Sequence, residues 1–263
     1  MKPVIFLHEI KRNITSLAVW SFAMAFMLGI CIIIYPEMQS QMGEMSEMLA
    51  EMGSFSEAFG MDQINFGEFM GYFGVECGNT LGLGGAMLAA IVGVLSLAKE
   101  EKNSTADFLL TLPVSRYRVV SEKLLFTIFH IVTVNVAVTI VSVFGSLIIG
   151  VDADYGKMLL ILLAYFLMQI EIAAICFGIS AFVKKGGLGI GIGLGFVFYF
   201  MGIFSKLADE LEFIKYLTPF GFADSAYILD KGGLEPVSLV VGLALSAVSI
   251  ALAYWHFGKK DIT

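Results

Sequence analysis

Two polar residues, Gln169 and Glu171, lie deep inside a long apolar run of the sequence. A carboxyl group at membrane depth is energetically costly, so it is by default a candidate for substrate contact or proton handling. In the alternative interpretation, Glu171 is protonated or hydrogen-bonded and ties helices together, with Asn135 or a Ser/Thr hydroxyl of the preceding apolar run as its partner. The sequence leaves both interpretations open and predicts a candidate substrate path at Gln169, Glu171 and Asn135.

No catalytic constellation accompanies this carboxyl group. Apart from thiols, His130 and Glu171 are the titratable candidates at membrane depth, and no recognised catalytic spacing joins them. His8-Glu9 begins like the helix motif of zinc peptidases, but Arg12 occupies the position of the second histidine. The sequence therefore argues against an enzyme whose active site lies in this chain.

A methionine-rich stretch follows the first apolar run. At 100° per residue, one side of a predicted helix collects Met38, Met42, Met45, Met48, Leu49 and Met52, and glutamates occupy the other side. Thioethers bind Cu(I), so Met42, Met45, Met48 and Met52 form an alternative metal site. The favoured interpretation has no metal and is an acidic amphipathic helix that packs its methionine face on the membrane or on a neighbouring subunit.

The glycine-rich run 187–195 has the look of a phosphate-binding loop. Gly187, Gly191 and Gly195 recur at four-residue spacing, but no Lys-Ser or Lys-Thr pair follows them. Small residues at this spacing let helices approach closely in lipid. The row therefore predicts helix packing, and nucleotide binding is not expected in this chain.

The elements that must position these residues are membrane helices. The 263 residues are 58% hydrophobic and 15% charged, with a mean hydropathy of +0.85, which places the chain outside the range of soluble domains. A helix needs about 20 apolar residues to cross the hydrocarbon core. Six runs meet this length: residues 17–35, 77–98, 124–150, 158–183, 187–205 and 237–257. The predicted fold is an all-α polytopic membrane protein with a single transmembrane domain, residues 1–263.

The distribution of Lys and Arg predicts the orientation. If the N-terminus is cytoplasmic, 12 of the 16 basic residues fall on the cytoplasmic side. The positive-inside rule therefore predicts a multi-pass protein of the cell membrane with both termini in the cytoplasm. The net charge of −7 argues against nucleic acid as a partner.

The four longest segments outside the predicted spans are expected to have structure of their own. Residues 1–16 have one apolar face and are predicted to form a helix in the inner membrane interface. The others are an acidic outer segment (36–76), a cytoplasmic segment (99–123) and an outer helical hairpin (206–236). Helical pieces at 207–217 and 223–229 are predicted in this hairpin, separated by Thr218-Pro219.

The cytoplasmic segment is the one long stretch of mixed charge flanked by apolar runs. Thr105, Phe108, Leu109 and Leu112 recur at helical spacing, and Pro113 ends this short helix. Ser115 is placed to cap a second helix that begins near Arg116. The segment is therefore predicted to be a polar helical connection between two spans, with a small apolar face available to a partner in the aqueous phase.

Two strings, KEEKNSTADFLLTLPVSRYRVVSEK and YLTPFGFADSAY, resemble the permease subunit of ABC-2 type ATP-binding cassette exporters. The resemblance covers essentially the whole chain. It implies that residues 100–113 form the coupling helix that docks on a cytoplasmic ATPase subunit. The implied contact residues are Glu100, Glu101, Lys102, Thr105, Phe108, Leu109, Leu112, Pro113 and Arg116.

The resemblance also implies the partners. ATP and Mg would bind in the ABC ATPase subunit, and a second permease copy or a sister permease would complete the substrate path within membrane lipid. Two alternatives stay open: an ion-coupled secondary transporter or channel subunit that uses Glu171, and an ABC-2-like membrane protein that transmits a signal or force.

Overall fold

The structure, a computed structural model, describes residues 3–51, 68–102, 115–183, 187–207 and 209–259. Within these ranges every regular element is helical. The α-helices are α1 (Val4–Glu51), α2 (Phe69–Cys77), α3 (Ala86–Lys102), α4 (Arg116–Ile149), α5 (Tyr155–Ser180), α6 (Gly187–Leu207), α7 (Ser225–Lys231) and α8 (Pro236–Lys259). A π-helix, Gly78–Gly85, joins α2 to α3, and a 3₁₀-helix, Asp209–Tyr216, follows α6.

Six helices are long and apolar enough to cross a membrane, which confirms the predicted spans. They are Val4–Gln39, Phe69–Ala98, Arg116–Ile149, Tyr155–Ser180, Gly187–Leu207 and Pro236–Lys259. The second span, which contains α2, the π-helix and α3, begins eight residues before its predicted start at residue 77. This earlier start brings Glu76 into the span.

Helix α1 is longer than the sequence predicted. It runs for 48 residues without a break, so residues 4–16 are continuous with the first span, and the helix continues past residue 35, where that span was predicted to end. Pro36 lies inside the helix and lacks one backbone N–H, a loss that membrane helices tolerate when the remaining backbone bonds are kept. The residues of the alternative metal site, Met42, Met45 and Met48, extend the same helix, and Met52 lies outside the described residues.

The second span and α5 form the centre of the bundle. In the most apolar stretch of each, 61% of the residues are buried, against 22% in α6 and in α8. Helix α3 packs on α5 and α6, α5 packs on α8, and α1 packs along α4. Residues that face this centre are therefore shielded from lipid by four outer helices.

An even number of spans brings both ends of the chain to one side. At this side, the terminal end, the Arg116 guanidinium donates to the Gly258 carbonyl at 3.5 Å. At the opposite side, the hairpin end, Lys157 Nζ donates to the Leu229 carbonyl at 2.9 Å. The 3₁₀-helix and α7 lie at the hairpin end and confirm the two helical pieces predicted between α6 and α8.

Candidate functional site

Asn135 and Gln169 form a buried amide pair between α4 and α5. Asn135 Nδ2 donates to Gln169 Oε1 at 2.8 Å and to the Ile131 carbonyl at 2.9 Å. Both side chains are buried, and Gln169 packs against Gly85 of the π-helix. Asn135 thus bonds to Gln169, whereas the sequence analysis named it as a possible partner of Glu171.

Glu171 lies on the opposite side of α5, because two residues along a helix turn the side chain by about 200°. Its carboxyl group packs directly against Gly242 of α8, and only 1% of the residue is exposed. Neither carboxyl oxygen has a hydrogen-bond partner in the described part of the chain. The hydroxyl groups of Ser238 and Ser246, one turn to either side of Gly242, are also buried and have no partner among the described residues.

The three residues of the predicted substrate path are therefore not brought together. Asn135 and Gln169 face the contact between α4, α5 and the π-helix, whereas Glu171 faces α8. All three are buried, so they contribute to helix packing in this conformation.

A second intramembrane carboxyl group, Glu76, was missed because the predicted span began one residue after it. Cys31 Sγ of α1 donates to Glu76 Oε2 at 3.3 Å. The Tyr72 hydroxyl donates to the Cys31 carbonyl at 3.0 Å, which adds a second bond between α1 and α2. Among the described residues, no group of three or more His, Cys, Asp or Glu side chains is arranged to hold a metal ion.

At the terminal end, Glu122 of α4 caps the first turn of α1. Its Oε2 accepts the backbone N–H groups of Ile5 at 2.8 Å and Phe6 at 3.1 Å. Its Oε1 accepts from Arg118 Nε at 2.7 Å. The carboxylate thus satisfies two amide groups that the helix leaves free, at the end where the helix dipole favours negative charge.

The next residue of α4, Lys123, makes a buried ion pair with α1. Lys123 Nζ lies 3.0 Å from Glu9 Oε1, and its side chain is only 2% exposed. Glu9 also accepts from Arg12 at 2.7 Å and from Asn13 at 2.8 Å. We call this cluster the ionic joint; its members are Glu9, Arg12, Arg118, Glu122 and Lys123.

The predicted ATPase-contact residues lead into this joint. The backbone of Glu100, Glu101 and Lys102 forms the last turn of α3, and Arg116 begins α4. Ser115 caps α4 as predicted, since its Oγ accepts from Arg118 N at 3.3 Å. The remaining predicted contact residues, Thr105, Phe108, Leu109, Leu112 and Pro113, lie outside the described residues.

Comparison with known proteins agrees with the fold. No curated protein matches the sequence. A family model described as "ABC-2 family transporter protein" matches residues 4–262. This match covers nearly the whole chain and all six spans, so the chain belongs to the ABC-2 transporter family and is a multi-pass membrane component of an ABC-type transport system.

Proposed function

We propose that the chain is the membrane-spanning subunit of an ATP-driven exporter. Two copies, or one copy and a sister permease, form the substrate path in the cell membrane. A separate cytoplasmic ABC ATPase subunit binds ATP and Mg and docks on residues 100–113. The observation that carries this proposal is the ionic joint, which links the helix that follows the docking segment to the first span.

The contacts of the ionic joint hold α1 and α4 together, so the two helices are expected to move together. Glu122 and Lys123 lie within the first ten residues after the docking segment, and both hold α1. Removing one partner of a buried ion pair costs about 3–5 kcal/mol, so the contact resists separation. A displacement of the docking segment would therefore move two spans as a unit, the kind of rigid-body change by which ATP-driven closure opens a path.

The charge distribution supports a cytoplasmic location for this end. The terminal end carries most of the basic residues, whereas the described hairpin end carries Lys157, Lys206, Lys215 and Lys231. Because cytoplasmic loops are enriched in Lys and Arg, this asymmetry favours the terminal end as the side that meets an ATPase.

Co-purification with an ABC ATPase subunit of the same organism tests the proposal. Phe108→Asp and Leu109→Asp place a charge on the predicted apolar face and should abolish both co-purification and permease-dependent ATPase activity. Phe108→Leu keeps the face apolar and is the matched control, which should bind as the wild type does. If the two Asp variants bind and couple normally, residues 100–113 are not the docking segment.

A second candidate function is an ion-coupled carrier, which Glu171 favours because its carboxyl group has no hydrogen-bond partner in the described ranges. A buried carboxyl group inside a membrane bundle is often part of an ion path. Such a carrier would move substrate in proteoliposomes under a proton or sodium gradient without any ATPase, and Glu171→Gln would stop it. Transport that requires the ATPase and survives Glu171→Gln would exclude this candidate.

A further inference from the structure

A cavity of about 60 Å³, open on one side, lies at the hairpin end between the second span, α5, α6 and the hairpin. Its lining includes Asn79, Tyr165, Tyr199, Lys206, Phe220 and Asp224. We call it the aromatic cavity. It is separate from Asn135, Gln169 and Glu171, none of which lines it.

The π-helix places glycines opposite three aromatic rings. A Cβ atom at Gly82, which does not itself line the cavity, would lie 3.5 Å from Phe220, 3.7 Å from Tyr165 and 4.0 Å from Tyr199, so the three rings converge near one end of it. Tyr199 and Phe220 meet edge to face, with centroids 5.9 Å apart. π-Helical segments are frequent at functional sites. Here the segment makes room for rings from three other elements.

An ion pair completes the lining. Lys206 Nζ lies 3.1 Å from Asp224 Oδ2, and the two side chains are 33% and 26% exposed. The other carboxyl oxygen of Asp224 accepts from Ala226 N at 2.9 Å and caps α7, which holds Asp224 in place. Tyr165 is buried, and its hydroxyl lies 3.3 Å from Ser225 Oγ. The cavity thus combines ring surfaces with one positive and one negative charge.

We propose that the aromatic cavity binds a small zwitterionic group, with its ammonium moiety on the rings beside Asp224 and its anionic moiety at Lys206. Aromatic faces attract ammonium groups, most strongly where water is excluded. A ligand with one charge can pair with only one of Lys206 and Asp224, whereas a zwitterion can pair with both.

The inference deepens the proposed function, because it assigns a ligand class to a transport subunit. Its test needs no ATPase, so its failure is distinguishable from failure of the docking proposal. The same chemistry occurs in a free small molecule and in a lipid headgroup. Phosphocholine represents the first source, and dihexanoyl phosphatidylcholine represents the second.

Binding is measured by calorimetric titration of the purified protein in a nonionic detergent. Phosphocholine should bind at least tenfold more tightly than choline, which lacks the anion, and than 3,3-dimethylbutyl phosphate, which lacks the ammonium charge. Binding of the short-chain lipid alone would also support the proposal and would identify a headgroup as the ligand. Equal affinities for phosphocholine, choline and 3,3-dimethylbutyl phosphate would overturn the proposal. So would a failure of both phosphocholine and dihexanoyl phosphatidylcholine to bind.

Two variants tie the binding to this cavity. Tyr199→Leu removes a ring and should weaken phosphocholine binding roughly fivefold or more, while binding of the dimethylbutyl phosphate stays unchanged. Lys206→Met should weaken binding of both phosphates. Phe204→Leu is the matched control, because Phe204 is an exposed ring on the same helix and does not line the cavity. If Phe204→Leu weakens phosphocholine binding as much as Tyr199→Leu does, the site lies elsewhere.

Discussion

Gly178 determines how closely α5 approaches α8. A Cβ atom at this position would lie 2.7 Å from the backbone carbonyl oxygen of Ser249. Gly178→Ala should therefore destabilise the bundle by about 1–3 kcal/mol, the usual cost of overpacking. Thermal unfolding in detergent measures this effect. Gly189→Ala is the control, because nothing lies within 4 Å of a Cβ there, and it should leave the melting temperature unchanged or slightly higher.

Glu235 gives the hairpin end a pH-dependent contribution to stability. Burial alone would raise the pKa of Glu235, but the hydrogen bond that it accepts from the backbone N–H of Ser238 at 2.5 Å helps to lower the pKa below its usual 4.5. A carboxyl group whose pKa is depressed by folding stabilises the fold above its unfolded pKa and loses that contribution as pH falls through its folded pKa. The free energy of unfolding of the wild type should thus decrease as the pH is lowered past about 4.5. The part of this decrease that is due to Glu235 should be absent in Glu235→Gln.

Unfolding measured between pH 3 and pH 7 should distinguish Glu235→Gln from the wild type. Asp230→Asn is the control, since Asp230 is exposed and pairs with Lys231 at the surface, where ion pairs contribute little. A Glu235→Gln protein with the same pH profile as the wild type would contradict the assignment.

For single residues, the sequence predicted which side chains are structurally important better than it predicted the residues that they contact. Ser115 was identified as a cap from local chemistry alone and caps α4. Glu171 was identified as unusual because of its depth, but its position against Gly242 depends on how α5 and α8 pack, which no local pattern encodes. Glu76 was missed because span boundaries are uncertain by several residues.

The start of α1 depends on Glu122 of a distant helix. Glu122→Ala leaves the N–H groups of Ile5 and Phe6 without this acceptor, and loss of such a cap costs about 1–2 kcal/mol. Amide hydrogen exchange at residues 4–8 should therefore accelerate about fivefold to thirtyfold. Asp154→Ala, which removes the cap of α5 instead, is the control and should leave exchange at residues 4–8 unchanged. Unchanged exchange in Glu122→Ala would mean that α1 does not need this cap.

Helix prediction was most successful where hydrophobicity alone decides. The six spans and the two pieces of the hairpin were predicted, since length and apolar content define them. The continuity of α1 through Pro36 was not, because proline ends helices in water more often than in lipid. The π-helix was also missed, because a change of period over the eight residues Gly78–Gly85 leaves no clear signal in the sequence.

At the scale of the molecule, the orientation of the bundle is open to direct measurement. Asp230 is exposed at the hairpin end and Lys259 at the terminal end. With a cytoplasmic terminal end, Asp230→Cys should react with a membrane-impermeant maleimide in intact cells, and Lys259→Cys only after permeabilisation. The wild-type protein controls for Cys31, Cys77 and Cys176. The reverse labelling pattern would place residues 100–113 outside the cell and exclude an ATPase partner there.

Because α1 is long, a small rotation at the ionic joint would produce a large displacement at its far end. From Glu9 to Glu51 the helix extends on the order of 60 Å, about twice the thickness of the hydrocarbon core. A rotation of about 10° at the joint would displace the far end of a straight helix of this length by roughly 10 Å. In the proposed transporter, a small movement beside residues 100–113 would thereby be magnified at the opposite surface, where the last turns of α1 lie.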